Sequence, residues 1–386
     1  MSRFEKRIAK LRNEMSTKGI DAFFLPPTGE FEYITGIRRQ RPNPTQSNMP
    51  GDWFYGAILT EDHILISVPK MASGFVEDQI KKHELSFIDE VVVIPENEDH
   101  QEFAKKIIQR FNLDNDCLAV PNWGMAETLI KLWDMFPGMK FKSASAIIEN
   151  MRMIKDSEEI AKMRKTAELT DNVFYAVLEK LKPEMTEEEI AAEVDWQILQ
   201  QGGEGVSFIT GIMCQGGSKK NGYKEDVGRS GKSRIEAGQT LAFDFGMVYD
   251  GYVSDFGRTV YIDQPDSLVE KIHHLVMNSQ EEAIKAMKDG KITAGETDGV
   301  ARSVIEEAGY GENFFHRLGH GIGIDVHEPP YLTAADKTLL KSGMTFTVEP
   351  SINLPGKAWS RVEDVVLVTD NGGDCLNKAS KEIIVI

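Results

Sequence analysis

The stretch HRLGHGIGIDVHEPP, residues 316–330, holds His316, His320 and His327 among glycines. Imidazoles so close together can be metal ligands, acid/base groups, or polar residues of a tight turn, and spacing alone leaves all three open. Four carboxylates sit in settings that invite the same question. In QTLAFDFGMVYDGYVSDFGRTVYI the apolar Leu241, Phe243 and Phe245 share one strand face, and Asp244 falls on the other beside Ala242 and Gly246. If Asp250-Gly251 forms a two-residue hairpin turn, Asp255 pairs across from Gly246, and the two aspartates become diagonal neighbours about 7–8 Å apart at the backbone. In GMTFTVEP, Met344, Phe346 and Val348 alternate with Thr345, Thr347 and Glu349, and Glu363 interrupts the apolar run of SRVEDVVLV. A lone buried carboxylate is costly and is normally driven neutral. Four gathered with His320 would repel strongly, and two divalent cations would balance them.

Two groups of elements must position these residues. EKRIAKLRNEMSTKG predicts an opening helix with Ile8, Leu11 and Met15 on one face and a stop at Gly19. DAFFL reads as a strand and WFYGAILTEDHILISVP as a hairpin turning at TED, with helices near 73–82 and 100–112. Residues 1–150 thus form one mixed α/β unit. A second unit, 151–386, opens at Asp156, whose pairing with Glu159 marks a helix start, with Ile160, Met163, Ala167, Val173, Val177 and Leu181 at helical spacing. Thr186 and Glu189 make a second capping box, and Gly202-Gly203 ends that helix. Strands in TLAFDFGMV, GYVSDFGRTVYI, GMTFTVEP and RVEDVVLVTD, with helices near 267–289 and 296–308, complete an α/β (α+β) chain.

The 386 residues can bury two or three ordinary cores without disulfides. Cys117, Cys214 and Cys375 are scattered and form no CxxC pair, which suggests reduced thiols in the cytoplasm. The N-terminus is charged from its third residue, and no apolar run approaches the roughly 18 residues of a membrane span. A formal charge of -17 repels nucleic acid and anionic membranes.

Taken in order, FDFGMVYDGYVSDFGRT, HRLGHGIGIDVHEPP, TVEPSI and SRVEDVVLVT resemble the metallopeptidase family of aminopeptidase P, prolidase and methionine aminopeptidase, closest to the aminopeptidase P and prolidase branch. The N-terminal portion ending in FEYITGI is similar to the smaller domain that this branch and creatinase carry. The resemblance implies a pita-bread fold for 151–386 and a creatinase/prolidase-like domain for 1–150. It implies metal ligands at Asp244, Asp255, His320, Glu349 and Glu363, holding two divalent ions, with Mn first and Co, Zn or Fe as alternatives for so oxygen-rich a set. Glu349 would also act as general base, His316 and His327 would handle substrate and protons, and Arg361 would sit in the active site on the strand face of Glu363. The implied activity is hydrolysis of the bond before proline in short peptides, with a water activated by the metals. A homodimer is the implied assembly.

One departure concerns the substrate. The family usually has a substrate-contacting histidine seventeen residues before the first aspartate, and here that position is Val227. The adjoining Gly228, Arg229 and Ser230 make a polar loop able to receive a carboxylate. Arg38, Arg39 and Arg41, in the proline-containing loop 36–53, are further candidates for holding a substrate anion across a dimer. Val227 leaves open a second reading, a metal-dependent hydrolase or lyase of a small nonpeptide amide or amidine. A noncatalytic binding module on the same fold is a third, opposed by the five intact ligands.

Overall fold

A reciprocal capping box between Ser2 and Glu5 starts the first helix, Arg3–Lys18, and Gly19 at φ 59° ends it. Such caps stabilise a helix by about 1 kcal/mol each. Ile8, Leu11 and Met15 are buried along its inner face. The computed structural model describes residues 2–39, 50–182, 184–217 and 229–386. The chain divides into two units, Met1–Arg152 and Met153–Ile386.

In the first unit, six strands form a mixed sheet in the order Glu90–Ile94, Ile64–Pro69, Gly56–Leu59, Ala22–Leu25, Cys117–Val120 and Lys140–Ser143. The hairpin expected around TED is present: Leu59 pairs with Ile64 and Gly56 with Ser67. Helices Lys70–Lys82, His100–Arg110 and Ala126–Met135 belong to the same unit. Arg38 and Arg39 both reach Glu32 of helix Gly29–Thr35, at 3.1 and 3.3 Å, so both are engaged by one buried carboxylate. Arg41 lies outside the described residues.

The second unit contains two helix-on-sheet halves. Helices Ser157–Leu178 and Glu187–Gln200, each opened by the expected capping box, pack on a four-stranded sheet ordered Ile384–Val385, Phe256–Ile262, Gln239–Phe245, Gly211–Gly216. Val173, Phe174, Val194 and Ile198 meet Leu241, Phe243 and Phe245 in that core. Helices Ser267–Ala286 and Ala294–Glu307 pack on a five-stranded sheet ordered Glu328–Leu332, Gly319–Gly321, Thr345–Val348, Asp364–Thr369, Gly372–Cys375. Val276, Ala283, Ala301 and Ile305 share that core with Phe346, Val348, Val366 and Val368. The halves are joined backbone to backbone where Gly257 bridges Glu363. None of the described helices is long and apolar enough to cross a membrane.

Two expected strands are each broken in the middle. Gln239–Phe245 stops at Gly246 and pairing resumes at Met247–Tyr249; Tyr252–Val253 is likewise separated from Phe256–Ile262. The cause is local: the Ser254 hydroxyl takes the Met247 N–H at 3.0 Å, and the Ser254 carbonyl lies 2.0 Å from where a Cβ on Gly246 would be. Only glycine admits that approach. The register nevertheless continues through the break, with Phe245 opposite Phe256 and Val248 opposite Val253. The turn itself is Asp250-Gly251 with φ of 46° and 78°, the positive pair that a tight hairpin requires.

Candidate metallohydrolase site

The five residues singled out as ligands converge. Asp244 leaves its strand on the face away from the Phe243 core, and Asp255 sits at the break just before Phe256. Glu363 precedes strand Asp364–Thr369, where its N–H donates to the Gly257 carbonyl at 2.9 Å. Carboxylate oxygens of Asp244, Asp255 and Glu363 all lie within 4.8 Å of one another. From the other side His320 brings Nε2 to 3.4 Å from Asp255 and 3.5 Å from Glu349. Its Nδ1 is 3.0 Å from the Gly321 carbonyl, which fixes that nitrogen as the N–H donor and leaves Nε2 for the carboxylates. The Thr347 hydroxyl receives the His320 N–H and donates to Glu349 at 3.2 Å, tying the two residues together.

This arrangement fits a hard cation. Asp255 Oδ1 and Glu363 Oε2 are buried with no hydrogen-bond partner, a costly state for a carboxylate oxygen. Burial, and then the charges of Asp255 and Glu349, push the Glu363 carboxyl well above the ordinary range. Burial disfavours charge on His320, but its hydrogen bond to Asp255 and the charge of Glu349 outweigh this and raise it. Excess negative charge in an oxygen-rich pocket with one imidazole is the chemistry of a Mn-, Co-, Fe- or Zn-type site.

Three arginines line the same cavity, of about 750 Å³. Arg361 donates to Asp244 at 2.8 Å and lies 3.7 Å from Glu363 and 3.9 Å from Glu349. Burial works against its charge, but these acids hold its pKa raised. Contrary to the expectation that it lies on the strand face of Glu363, Arg361 ends a different strand, Ala358–Arg361, which pairs with Ser351–Leu354, and Val362 carries the chain across toward Asp364–Thr369. Arg229 stacks on Phe208 with 4.9 Å to the ring centroid and reaches Asp244 at 2.5 Å. Val227 and Gly228 lie outside the described residues.

His316 and His327 flank the cluster. The His316 Nδ1–H donates to the Arg317 carbonyl at 2.7 Å and Nε2 faces the Ser351 hydroxyl at 2.6 Å; burial, then Arg361, lower its pKa. His327 stands edge-on to His320, centroids 4.1 Å apart, and burial, then His320 and Arg317, push it down to about 4. Sequence reasoning missed Phe208, Arg317 and Trp359, which also line the cavity. Arg317 had a signal, since it adjoins His316; Phe208 and Trp359 had none stronger than apolarity.

The model of metallopeptidase family M24 matches residues 161–370, and that of the creatinase/prolidase N-terminal domain matches residues 7–154. The chain belongs to metallopeptidase family M24. It is 30% identical over 388 residues to an Xaa-Pro dipeptidase of Pyrococcus horikoshii, covering 100% of both chains. A solved prolidase from Thermococcus sibiricus superposes with TM-score 0.87 at 32% identity, again over 100% of each chain. An X-Pro aminopeptidase from Thermotoga maritima gives 0.79 at 28%, over 95% of this chain and 98% of that one. The second unit therefore has the pita-bread fold, the first is creatinase-like, and this M24 chain is a prolidase-like hydrolase of a family that works with divalent metal ions.

Proposed function

We propose that this chain cleaves the bond before proline in short peptides, with two divalent cations, Mn(II) first among candidates, held by Asp244, Asp255, His320, Glu349 and Glu363. The observation that carries the reading is the convergence of these donors around two buried carboxylate oxygens that no hydrogen bond satisfies. The proline preference rests on the names of the relatives, an Xaa-Pro dipeptidase and a prolidase.

Bound cations would lower the pKa of a water toward about 7 and polarise the scissile carbonyl. The chain's own residues do the rest. Glu349, held by the Thr347 hydroxyl on one oxygen, keeps the other facing Arg361 and accepts the proton of the attacking water. His327, neutral at working pH, offers a hydrogen bond to the substrate without adding charge, and His316, its ring held by the Arg317 carbonyl and Ser351, lines the substrate side of the cavity. Arg361 fixes the Asp244 carboxylate. Arg38 and Arg39, engaged by Glu32, are left out of this scheme.

The test is an assay of Mn(II)-reconstituted protein on Xaa-Pro dipeptides, longer Xaa-Pro peptides and a panel of small amides. Hydrolysis of the dipeptides is expected. Metal bound without turnover of any proline peptide would overturn the reading, and turnover of an amide instead would restore the nonpeptide alternative.

Gly257 offers a check on the metal role that leaves every donor intact. A Cβ there would meet Glu363 Oε2 at 2.6 Å and Arg361 Cδ at 2.9 Å. Gly257→Ala should displace the Glu363 carboxylate and weaken Mn(II) binding by about tenfold or more, read by calorimetric titration. Unchanged affinity would mean that Glu363 is not a ligand.

A further inference from the structure

Between His320 and His327 the chain turns around a buried ion pair that the proposed reaction does not use. Glu328 opens strand Glu328–Leu332, and one of its oxygens lies 3.2 Å from the Lys155 ammonium, both side chains being buried. Its other oxygen receives the N–H of Ile324 at 2.9 Å and of Asp325 at 3.0 Å, inside the loop that Glu328 closes. Gly323 is wedged against both charged groups: a Cβ there would meet the two Glu328 oxygens at 2.9 Å and Lys155 Cε at 3.0 Å. Glycine is what lets the backbone come this close to the pair.

Both ends of this contact are anchored. The Lys155 N–H donates to the Gly343 carbonyl at 2.9 Å, and the next residue, Asp156, caps helix Ser157–Leu178. The Gly323 carbonyl receives the N–H of Val253, close before Asp255 in the chain, at 2.9 Å. A buried ion pair adds little stability over apolar side chains of the same volume, so its contribution here is geometric: a carboxylate that must meet Lys155 and two amides has one placement. That placement passes to His327, the residue before Glu328, which lines the cavity with its ring edge-on to His320.

We infer that Glu328, held by Lys155, is a positioning residue of the reaction and sets the His327 ring against the substrate. The inference rests on the proposed proline-peptide reading and adds to it a pair that belongs neither to the donor set nor to the cavity wall. A group that must meet the reacting atoms within a fraction of an ångström needs its own backbone fixed, and the Glu328 carboxylate fixes the loop on which His327 stands. Loss of that carboxylate therefore costs turnover through His327 and leaves the donors in place.

The test is a double-mutant cycle on Mn(II)-loaded protein with Ala-Pro as substrate. Glu328→Gln, which keeps the shape and loses the charge, should lower kcat about 10- to 100-fold, with KM moving less than about threefold and Mn(II) content unchanged. His327→Ala should lose at least as much, and adding Glu328→Gln to it should cost less than about twofold more. Losses that multiply in full, or a loss carried by metal content, would overturn the inference. Removing one side of a buried pair can unfold a chain, so Gly323→Ala, which crowds the carboxylate but keeps both charges, is the second variant. It should show part of the same kcat loss, and wild-type kcat would refute the proposal. A second arm needs no turnover: nuclear magnetic resonance of Zn(II)-loaded protein with isotopically labelled histidine. The His327 ring signals, identified by their loss in His327→Ala, should move or broaden in Glu328→Gln and in Gly323→Ala. His327 signals that stay in place in both would overturn the inference. A wild type that cleaves no proline peptide sinks the proposed function, while this arm still reads what Glu328 does to His327.

Discussion

Asp255→Asn should lose the metal and on the order of 10³-fold in turnover while leaving the metal-free fold at least as stable as wild type. The two halves of this expectation have one cause. In the folded chain Asp255 places one carboxylate oxygen 3.4 Å from His320 and another in a buried position with nothing to receive it from. Its charge is also among those that drive Glu363 toward neutrality. Without cations this is a stored repulsion, and an amide of the same shape relieves it. In the proposed metal-bound state the same carboxylate would be a donor, and its removal would delete both affinity and the polarisation that several kcal/mol of barrier lowering depends on. Metal content by elemental analysis and thermal unfolding with and without Mn(II) read the two effects separately. Wild type should gain stability on adding Mn(II), the variant should not, and the metal-free melting temperature should not fall. Unchanged metal content, or collapse of the metal-free variant, would remove Asp255 from the ligand set.

How much of this site was legible beforehand depends on the range over which each feature is determined. Helix starts at Asp156 and Thr186 were readable because a capping box is a contract between residues three apart, and both boxes are formed. The hairpin at Asp250-Gly251 was readable for the same reason, and its register placed Asp244 and Asp255 correctly as neighbours. The break at Gly246 was not. It follows from the Ser254 side chain replacing a ladder hydrogen bond, and that hydroxyl is held in turn 2.6 Å from Thr170 on a distant helix. Nothing near Ser254 in the sequence announces Thr170. Two of the cavity walls were hidden in the same way, since Phe208 and Trp359 come from segments remote from the motifs. Among the three histidines, order in the chain carried no information about role. What separates them is that only His320 turns a ring nitrogen toward two carboxylates, while His316 spends both of its nitrogens on Ser351 and the Arg317 carbonyl.

Asp364→Ala should destabilise the fold by about 3–5 kcal/mol, more than any change at an exposed acid, because it strands cations that the interior cannot solvate. Asp364 is completely buried, and its two oxygens receive Arg258 at 2.6 Å, Lys381 at 2.9 Å and Gln280 at 3.0 Å. Arg258, itself buried, spends its remaining donors on the carbonyls of Gly257 and Glu363, both at 2.7 Å, and of Ala379 and Ser380. The pair therefore fastens the strand behind Asp255 to the segment carrying Glu363. Burial pushes the Asp364 carboxyl up, but Arg258 and Lys381 outweigh it and hold it below the usual range. A carboxyl depressed in the folded state contributes stability that is present above its unfolded value, about 3.9, and is lost as pH falls through the folded one. Urea unfolding of wild type and Asp364→Asn should therefore differ most near neutrality and converge below about pH 4. A gap that stays constant to lower pH would mean the ion pair is not what the substitution removes. Because the same guanidinium grips the Glu363 carbonyl, Asp364→Asn should also loosen Mn(II) binding about tenfold, although Asp364 reaches no cation itself.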